Sequence, residues 1–592
     1  MNRVAALVLF ACLLPTSAHA IKLGEAKPGS FLAGGELRVS QTLYYKLNLK
    51  LDDDPDDDRL PPFPLHEFVS RTNLDLRVKR FAMGAQFDLV GVTPDCTKDS
   101  PYEKFGGHID CVRGEGWSDD ASPTVLAKLE KVYVRYRSPH LDVDVGDYYA
   151  AFGRGIVLNI VKQPEIDVDT SILGARVDLR TKPVDVTLLG GLTNPQEVSM
   201  ELRNLDIDKV EWDALVGANV KFRPHRRVEA GLHGVGYNLQ ETPSGSFGGT
   251  LGWNGIGDVV DLFAEVDGFL YGVEGADVPE PLTPGYAIYA SGTTYAGPLT
   301  LLLEFKRYKN AKLDPLVRSG PVAPTAYTKP PSLEYEEAVT DDVQKSIDSN
   351  DITGWRAQAD LWFLETDTTV SILFANSFDR QQHPGYSPQR EATIHPMLIL
   401  DQPVHLSDVV SLHFKGDVGY RHDFPMRTPG GDPDQFLPNA GMLHYRADLG
   451  LTAGDHSFEI VSTFRRHAYT LPEEVCWLAR GETVCDKDDG YVSVENALSY
   501  TLMGKYTLAV HVDYTDRIQD QTGALAGIGN LYFDSEFISS TYLGGEVILK
   551  PVENLEVYVF WGSQKSGIVC TGGACRTVPA FTGVKSRVSV NF

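Results

Sequence analysis

Apolar and polar residues alternate with a period of two along most of the chain. In ELRVSQTLYYKLNL, which starts at Glu36, one face carries Leu37, Val39, Leu43, Tyr45, Leu47 and Leu49. The other face carries Arg38, Ser40, Thr42, Tyr44, Lys46 and Asn48. Leu74, Leu76 and Val78 alternate in the same way with Asn73, Asp75, Arg77 and Lys79, and Leu443, Tyr445, Ala447, Leu449 and Leu451 with His444, Arg446, Asp448 and Gly450. The final segment repeats the pattern, with Val584, Val588, Val590 and Phe592 opposite Lys585, Arg587, Ser589 and Asn591. This is the period of a strand, not of a helix.

The strands run to roughly ten residues or more, longer than those of most soluble sheets and matched to a tilted bilayer crossing. Very short links such as SPH at 138–140, AGP at 296–298 and MGK at 503–505 alternate with long polar connections at 50–66, 93–123, 150–171, 239–247, 310–352 and 565–580. That layout predicts an all-β fold: one transmembrane antiparallel barrel of about 24 strands, or 22 to 26 if a hairpin is lost or gained, with short periplasmic turns and long extracellular loops. The domain reading is 1–20 signal peptide, 21–34 short periplasmic segment and 35–592 barrel. The segment 248–254 and the IGD link after it carry the weakest strand signal.

The beginning of the chain sets an expectation for the compartment. A charge at Arg3, an apolar run from Val4 to Leu14, and the small residues Ala18 and Ala20 describe a secretory signal peptide cleaved before Ile21. Cys12 lies within the apolar run and is discarded with it. The remaining cysteines fall into three local pairs, Cys96 with Cys111, Cys476 with Cys485 and Cys570 with Cys575, which predicts three disulfides in outer loops. Zinc-knuckle spacing and accompanying histidines are absent from these pairs. No later apolar run approaches the roughly 18 residues of a spanning helix. A formal charge of −26 argues against a nucleic-acid partner, whose binders carry a basic face.

The terminal VKSRVSVNF, ending in Phe592 with Val588 and Val590 on the same face, resembles the carboxy-terminal signal of bacterial outer-membrane β-barrel proteins. That resemblance implies a porin-like integral outer-membrane protein with both termini in the periplasm, and recognition of Val588, Val590 and Phe592 by the barrel-assembly machinery. GDYYAAFGRGIVLNI and YTKPPSLEYEEA are similar to segments of a poorly characterised family of large barrels. The plug of a TonB-dependent receptor and the soluble domains of ushers have no counterpart here, which leaves a bare barrel.

Hydrocarbon outside the wall confines polar chemistry to the lumen. Lumen candidates are Arg38, Lys46, Arg71, Asp75, Arg77, Asp88, Lys131, Arg135, Asp142, Asp144, Arg154, Arg356, Asp360, His444, Arg446 and Asp448. Two readings stand: a charged ladder that sorts solutes, or residues that pair across strands and fill a polar interior. Asp52, Asp53, Asp54, Asp56, Asp57 and Asp58 form a dense acidic run with hard oxygen ligands for Ca²⁺, but EF-hand spacing is missing and Pro55 interrupts it. A solvated loop is the plainer account, and the sequence supplies no cofactor or metal motif.

The segment 147–171 is apolar in its middle, unlike the other long connections, and is expected either to fold into the lumen, with Arg154 between Gly153 and Gly155, or to extend a strand or cover the rim. The proline-rich acidic segment 310–352 is the second candidate for capping the pore. Because barrel diameter grows with strand number, a barrel this wide needs infolded loops or a partner. G-x-S-x-G, H-E-x-x-H and P-loop motifs are absent, so no enzyme is expected. The leading expectation is a channel for solutes with lipid as its surround. The alternative is a structural or secretion-associated barrel that anchors a periplasmic or surface partner, with an outer-membrane enzyme third.

Overall fold

The computed structural model describes residues 21–22, 35–48, 65–93, 124–163, 168–169, 171–193, 213–239, 242–271, 284–309, 331, 351–381, 389–426, 439–470, 489–515, 541–565, 567–571, 574–578 and 581–592. The leader, the acidic run Asp52 to Asp58, Cys96, Cys111, Cys476 and Cys485 lie outside these residues.

Twenty-four antiparallel strands form one closed barrel. Each pairs with its sequence neighbours, from Glu36–Asn48 beside Leu65–Val78 to Leu555–Gln564 beside Phe581–Asn591. The last strand closes on the first in register from Ser40 opposite Asn591 to Asn48 opposite Gly583. Val39 and Phe592 complete the seam by exchanging backbone hydrogen bonds of 3.1 and 2.6 Å. Closure leaves no edge exposed to hydrocarbon, which is the condition for crossing a bilayer with strands. Beyond the last seam pair the first strand is met by Ile21–Lys22, with Ile21 opposite Leu37.

Alternation decides which side of the wall each residue takes. Leu232, Val216 and Trp561 are 70 %, 64 % and 67 % exposed. Leu443, Tyr445 and Leu449 are likewise exposed, while His444 between them is buried. Such an exterior is satisfied by lipid and not by water. One polar group on the outward face, Gln41, is satisfied locally: its side chain donates to Ser70 Oγ (2.7 Å) and accepts from Thr72 Oγ1 (2.6 Å).

The connection expected at 239–247 is mostly strand. The chain runs Val228–Leu239 and then Thr242–Ile256. The turn-like composition TPSGSFGG misleads because glycines fit where a neighbouring ring supplies the missing packing. A Cβ on Gly268, in the adjacent strand, would lie 3.0 Å from the ring of Phe247. The IGD link exists as a tight turn with Gly257 and Asp258 at φ 58° and 62°. Within 565–580 a small hairpin pairs Gly567–Thr571 with Ala574–Val578 and sets Cys570 directly opposite Cys575.

Candidate functional site

The strand Leu141–Tyr148 starts as ordinary barrel wall and ends by feeding the chain inward. Its pairing with Thr124–Arg137 stops at Tyr133 opposite Gly146. Gly146 has φ +99°, and a Cβ there would lie 2.1 Å from the Val132 carbonyl oxygen, so a side chain is excluded at this bend. Asp147 then takes over the open ladder. Its Oδ2 accepts the Val132 backbone N–H (2.7 Å) and its Oδ1 accepts the Ser171 hydroxyl (2.8 Å). A backbone donor deep in the wall is thereby satisfied where the strands part.

Past this bend the chain forms a hairpin. Ala150–Phe152 pairs with Leu158–Ile160 across a turn in which Gly153 and Gly155 take φ 55° and 84°. Ile156, Val157 and Leu158 are 0 % exposed. They pack with Phe152 and Ile160 against Leu189, Leu215, Val235, Tyr237, Phe269, Ala287, Tyr289, Tyr308 and Ile352. Each of these wall residues belongs to the face opposite the lipid belt, being out of phase with Leu188, Val216, Leu232, Leu270, Tyr286, Leu303 and Trp355. The hairpin therefore lies inside the barrel and covers an apolar lumen wall. Burying each large side chain of this set contributes roughly 1.5–3 kcal/mol.

Polar contacts fix its position. The Tyr237 hydroxyl donates to the Val157 carbonyl (2.6 Å). Arg176 donates to the Tyr149 carbonyl (3.0 Å). Glu265 Oε2 accepts the Arg154 backbone N–H (2.7 Å), and a Cβ on Gly153 would lie 2.1 Å from Glu265 Oε1. The Arg154 guanidinium lies 4.6 Å from the centre of the Phe263 ring. Tyr308 of the same wall donates its hydroxyl to the carbonyl of Pro331 in the 310–352 connection (3.3 Å).

The predicted lumen residues are brought together mainly as cross-strand or same-face pairs. Buried Arg71 grips Asp88 with Nη2 at 2.7 Å and Nε at 3.1 Å. Lys46 meets Glu67 at 3.3 Å, Arg77 meets Asp75 at 3.3 Å, and Arg446 meets Asp448 at 3.0 Å. Arg135 and Arg137 share Asp144 at 3.7 and 2.6 Å. Arg356 pairs with Glu304, which also accepts the Tyr289 hydroxyl. Arg38 pairs with Glu36 near the seam. His444 bonds His395 Nε2 to Nε2 at 2.8 Å, with Asp417 Oδ1 3.6 Å away. Pairing of this kind needs no selectivity to be stable.

Sequence reasoning named no lumen residue on the strands Val228–Leu239 and Val260–Tyr271, whose inward positions put His233, Glu265 and Asp267 together under the hairpin. The available signal was an inward Glu265–Asp267 pair two residues apart, opposite the outward Val266. Among the described residues, these three form the one group with metal-ligating spacing.

A family model described as a family of unknown function (DUF6029) matches residues 121–221 and 455–592, which includes the bend, the hairpin and the closing strand. No curated protein matches the sequence. Among solved structures, the chain is similar to Acinetobacter baumannii OccAB1 at 10% identity, covering 69% of this chain and 94% of that one with a TM-score of 0.36. It is similar to Pseudomonas aeruginosa OccK9 (OpdG) at 12% identity, covering 66% and 98% with a TM-score of 0.36. The P pilus usher (PapC) translocation pore gives 8% identity, 94% and 99% coverage and a TM-score of 0.34.

Proposed function

We propose that this chain is a porin-like channel of the bacterial outer membrane, whose aqueous path is narrowed on one side by the infolded hairpin 150–160. The observation that carries this reading is the burial of Ile156, Val157 and Leu158 against inward-facing residues of the wall. Solutes would pass beside the hairpin, along walls whose ion pairs supply polar surface without a net field of one sign. The hairpin cannot swing freely, since Tyr237, Arg176 and Glu265 each hold its backbone.

The test is single-channel conductance of the purified barrel in planar bilayers, comparing the native chain with one in which residues 151–159 are replaced by a short Gly-Ser link. Conductance is expected to rise several-fold in the variant, because the obstruction is gone and the wall is unchanged. Bilayers that stay silent with both proteins would overturn the channel and favour a barrel that anchors a partner complex. Hydrolysis of lipid or peptide by the pure protein would instead revive an enzymatic role.

Val588, Val590 and Phe592 are assigned to recognition by the barrel-assembly machinery, with the termini in the periplasm. Deleting Phe592 also removes the reciprocal bonds to Val39. It is expected to cut the amount of heat-modifiable barrel in the membrane severely, and normal abundance would count against the assignment. The outer-loop disulfides are retained as part of the same reading. Cys570 opposite Cys575 is the pair whose backbone register suits one.

A further inference from the structure

We infer that His233, Glu265 and Asp267 bind a divalent transition-metal ion, of the Zn²⁺ class, which locks the hairpin to the lumen wall. One ligand atom from each residue lies within 4.8 Å of the others, and all three residues are buried. His233 Nε2 is hydrogen-bonded to Asp267 Oδ1 at 2.8 Å and lies 3.9 Å from Glu265 Oε1, so an ion would replace that hydrogen bond, and the three side chains are at most 1 % exposed. Unmet hydrogen bonding adds to this proximity. Glu265 Oε1 and Asp267 Oδ2 are both buried and make no hydrogen bond.

Two carboxylates beside one imidazole, sealed from water, are costly unless a cation offsets them. The hairpin's cationic side chain, Arg154, stacks its guanidinium on Phe263 and its charge reaches Glu265 but not Asp267, which has only His233 to offset it. A divalent ion bound by one nitrogen and two carboxylate oxygens would use the two oxygens that lack donors. The imidazole favours Zn²⁺ over Ca²⁺ or Mg²⁺, and three protein ligands leave a fourth position for water.

The hairpin forms the lid of this cluster. Phe152 lies over the His233 ring, with centroids 6.4 Å apart and planes at 30°. Gly153 leaves space for Glu265, whose second oxygen holds the Arg154 amide. An ion on Glu265 Oε1 would therefore fix the same carboxylate that anchors the hairpin turn. Gly248, in the strand between those of His233 and Asp267, makes room for the third ligand: a Cβ there would lie 1.9 Å from Asp267 Oδ1.

The metal lock acts on the hairpin and does not require that the barrel conduct. The full-length barrel, purified in detergent and stripped with EDTA, is titrated with ZnCl₂ and in parallel with CaCl₂ against a chromophoric chelator. One Zn²⁺ per chain is expected, with affinity at least tenfold lower in His233→Gln and in Asp267→Asn, both checked for heat-modifiable folding. In the native chain, Zn²⁺ should slow hydrogen exchange of the 150–160 amides, a readout that survives if either variant fails to fold. Equal Zn²⁺ uptake by native and variant chains, unchanged exchange on adding Zn²⁺, or Ca²⁺ bound as tightly as Zn²⁺ would each overturn the assignment. A stoichiometric Zn²⁺ site in a barrel that is silent in bilayers would overturn the channel alone.

Discussion

Two stretches of the inner wall solve the same problem in opposite ways. From Val184 to Ile352 the lumen face carries Leu189, Leu215, Val235, Phe269 and Tyr308, apolar side chains that water would not reward, and the hairpin covers them. Around the strands Glu36–Thr93 and Val410–Thr515 the lumen face carries Arg71 with Asp88, Arg421 with Asp423 at 3.0 Å, and Arg465 with Glu495 at 3.1 Å. Polarity in the lumen is thus local. The wall under the hairpin is mainly apolar, with His233, Glu265 and Asp267 as its buried polar island, while the strands named above are ion-paired and the lipid face is mainly apolar.

The sharpest way to break this contrast is Ile156→Asp, which puts a carboxylate into the apolar interface. The penalty is capped by the docking energy of the hairpin, so the expected outcome is its release with the barrel intact. An effect on the order of 4 kcal/mol or more on local opening is anticipated, read as loss of amide protection confined to 150–160. Protection retained at the native level would show that the hairpin does not depend on the apolar wall.

A smaller effect is expected on the paired wall. Arg71→Ala removes the bidentate cation from Asp88, whose side chain is fully buried, and should lower stability in denaturant titration by roughly 3 kcal/mol. Replacing both partners with apolar residues of similar volume should restore most of that loss, because no uncompensated charge then remains. The smallest effect belongs to Arg77→Ala. That pair is half exposed, so stability should change by less than about 1 kcal/mol. Its signature should instead be a shift in ion selectivity at low salt that disappears as ionic strength rises.

Strand order, wall orientation and the seam were legible in the sequence because one physical rule, lipid outside and water inside, acts at every second residue. The alternation around Leu443 to Asp448 and the terminal Val588, Val590 and Phe592 carry that rule without ambiguity. The hairpin was legible as an anomaly: IVLNI is too apolar for a solvated connection, yet nothing local distinguishes burial in the lumen from extension of a strand. His233, Glu265 and Asp267 were not legible, since inward polar residues look alike until the fold shows which of them lie under a lid. The stretch 242–247 was misread for the opposite reason, its Gly, Ser and Pro residues imitating a turn while its own Phe247 fills the space over Gly268 of the neighbouring strand.

The seam sets the order of events in folding. Ser40 and Asn591 are partners across more than five hundred residues of chain, and closing so long a flexible loop in a single step would cost on the order of 5 kcal/mol in entropy before any bond formed. Sequential addition of hairpins avoids that cost, because a curling sheet brings its own two edges together. Closure is then the last step and has the highest contact order of any pairing in the wall. Until it happens, both Glu36–Asn48 and Phe581–Asn591 are bare edges, so the chain is most vulnerable to aggregation just before it becomes edgeless.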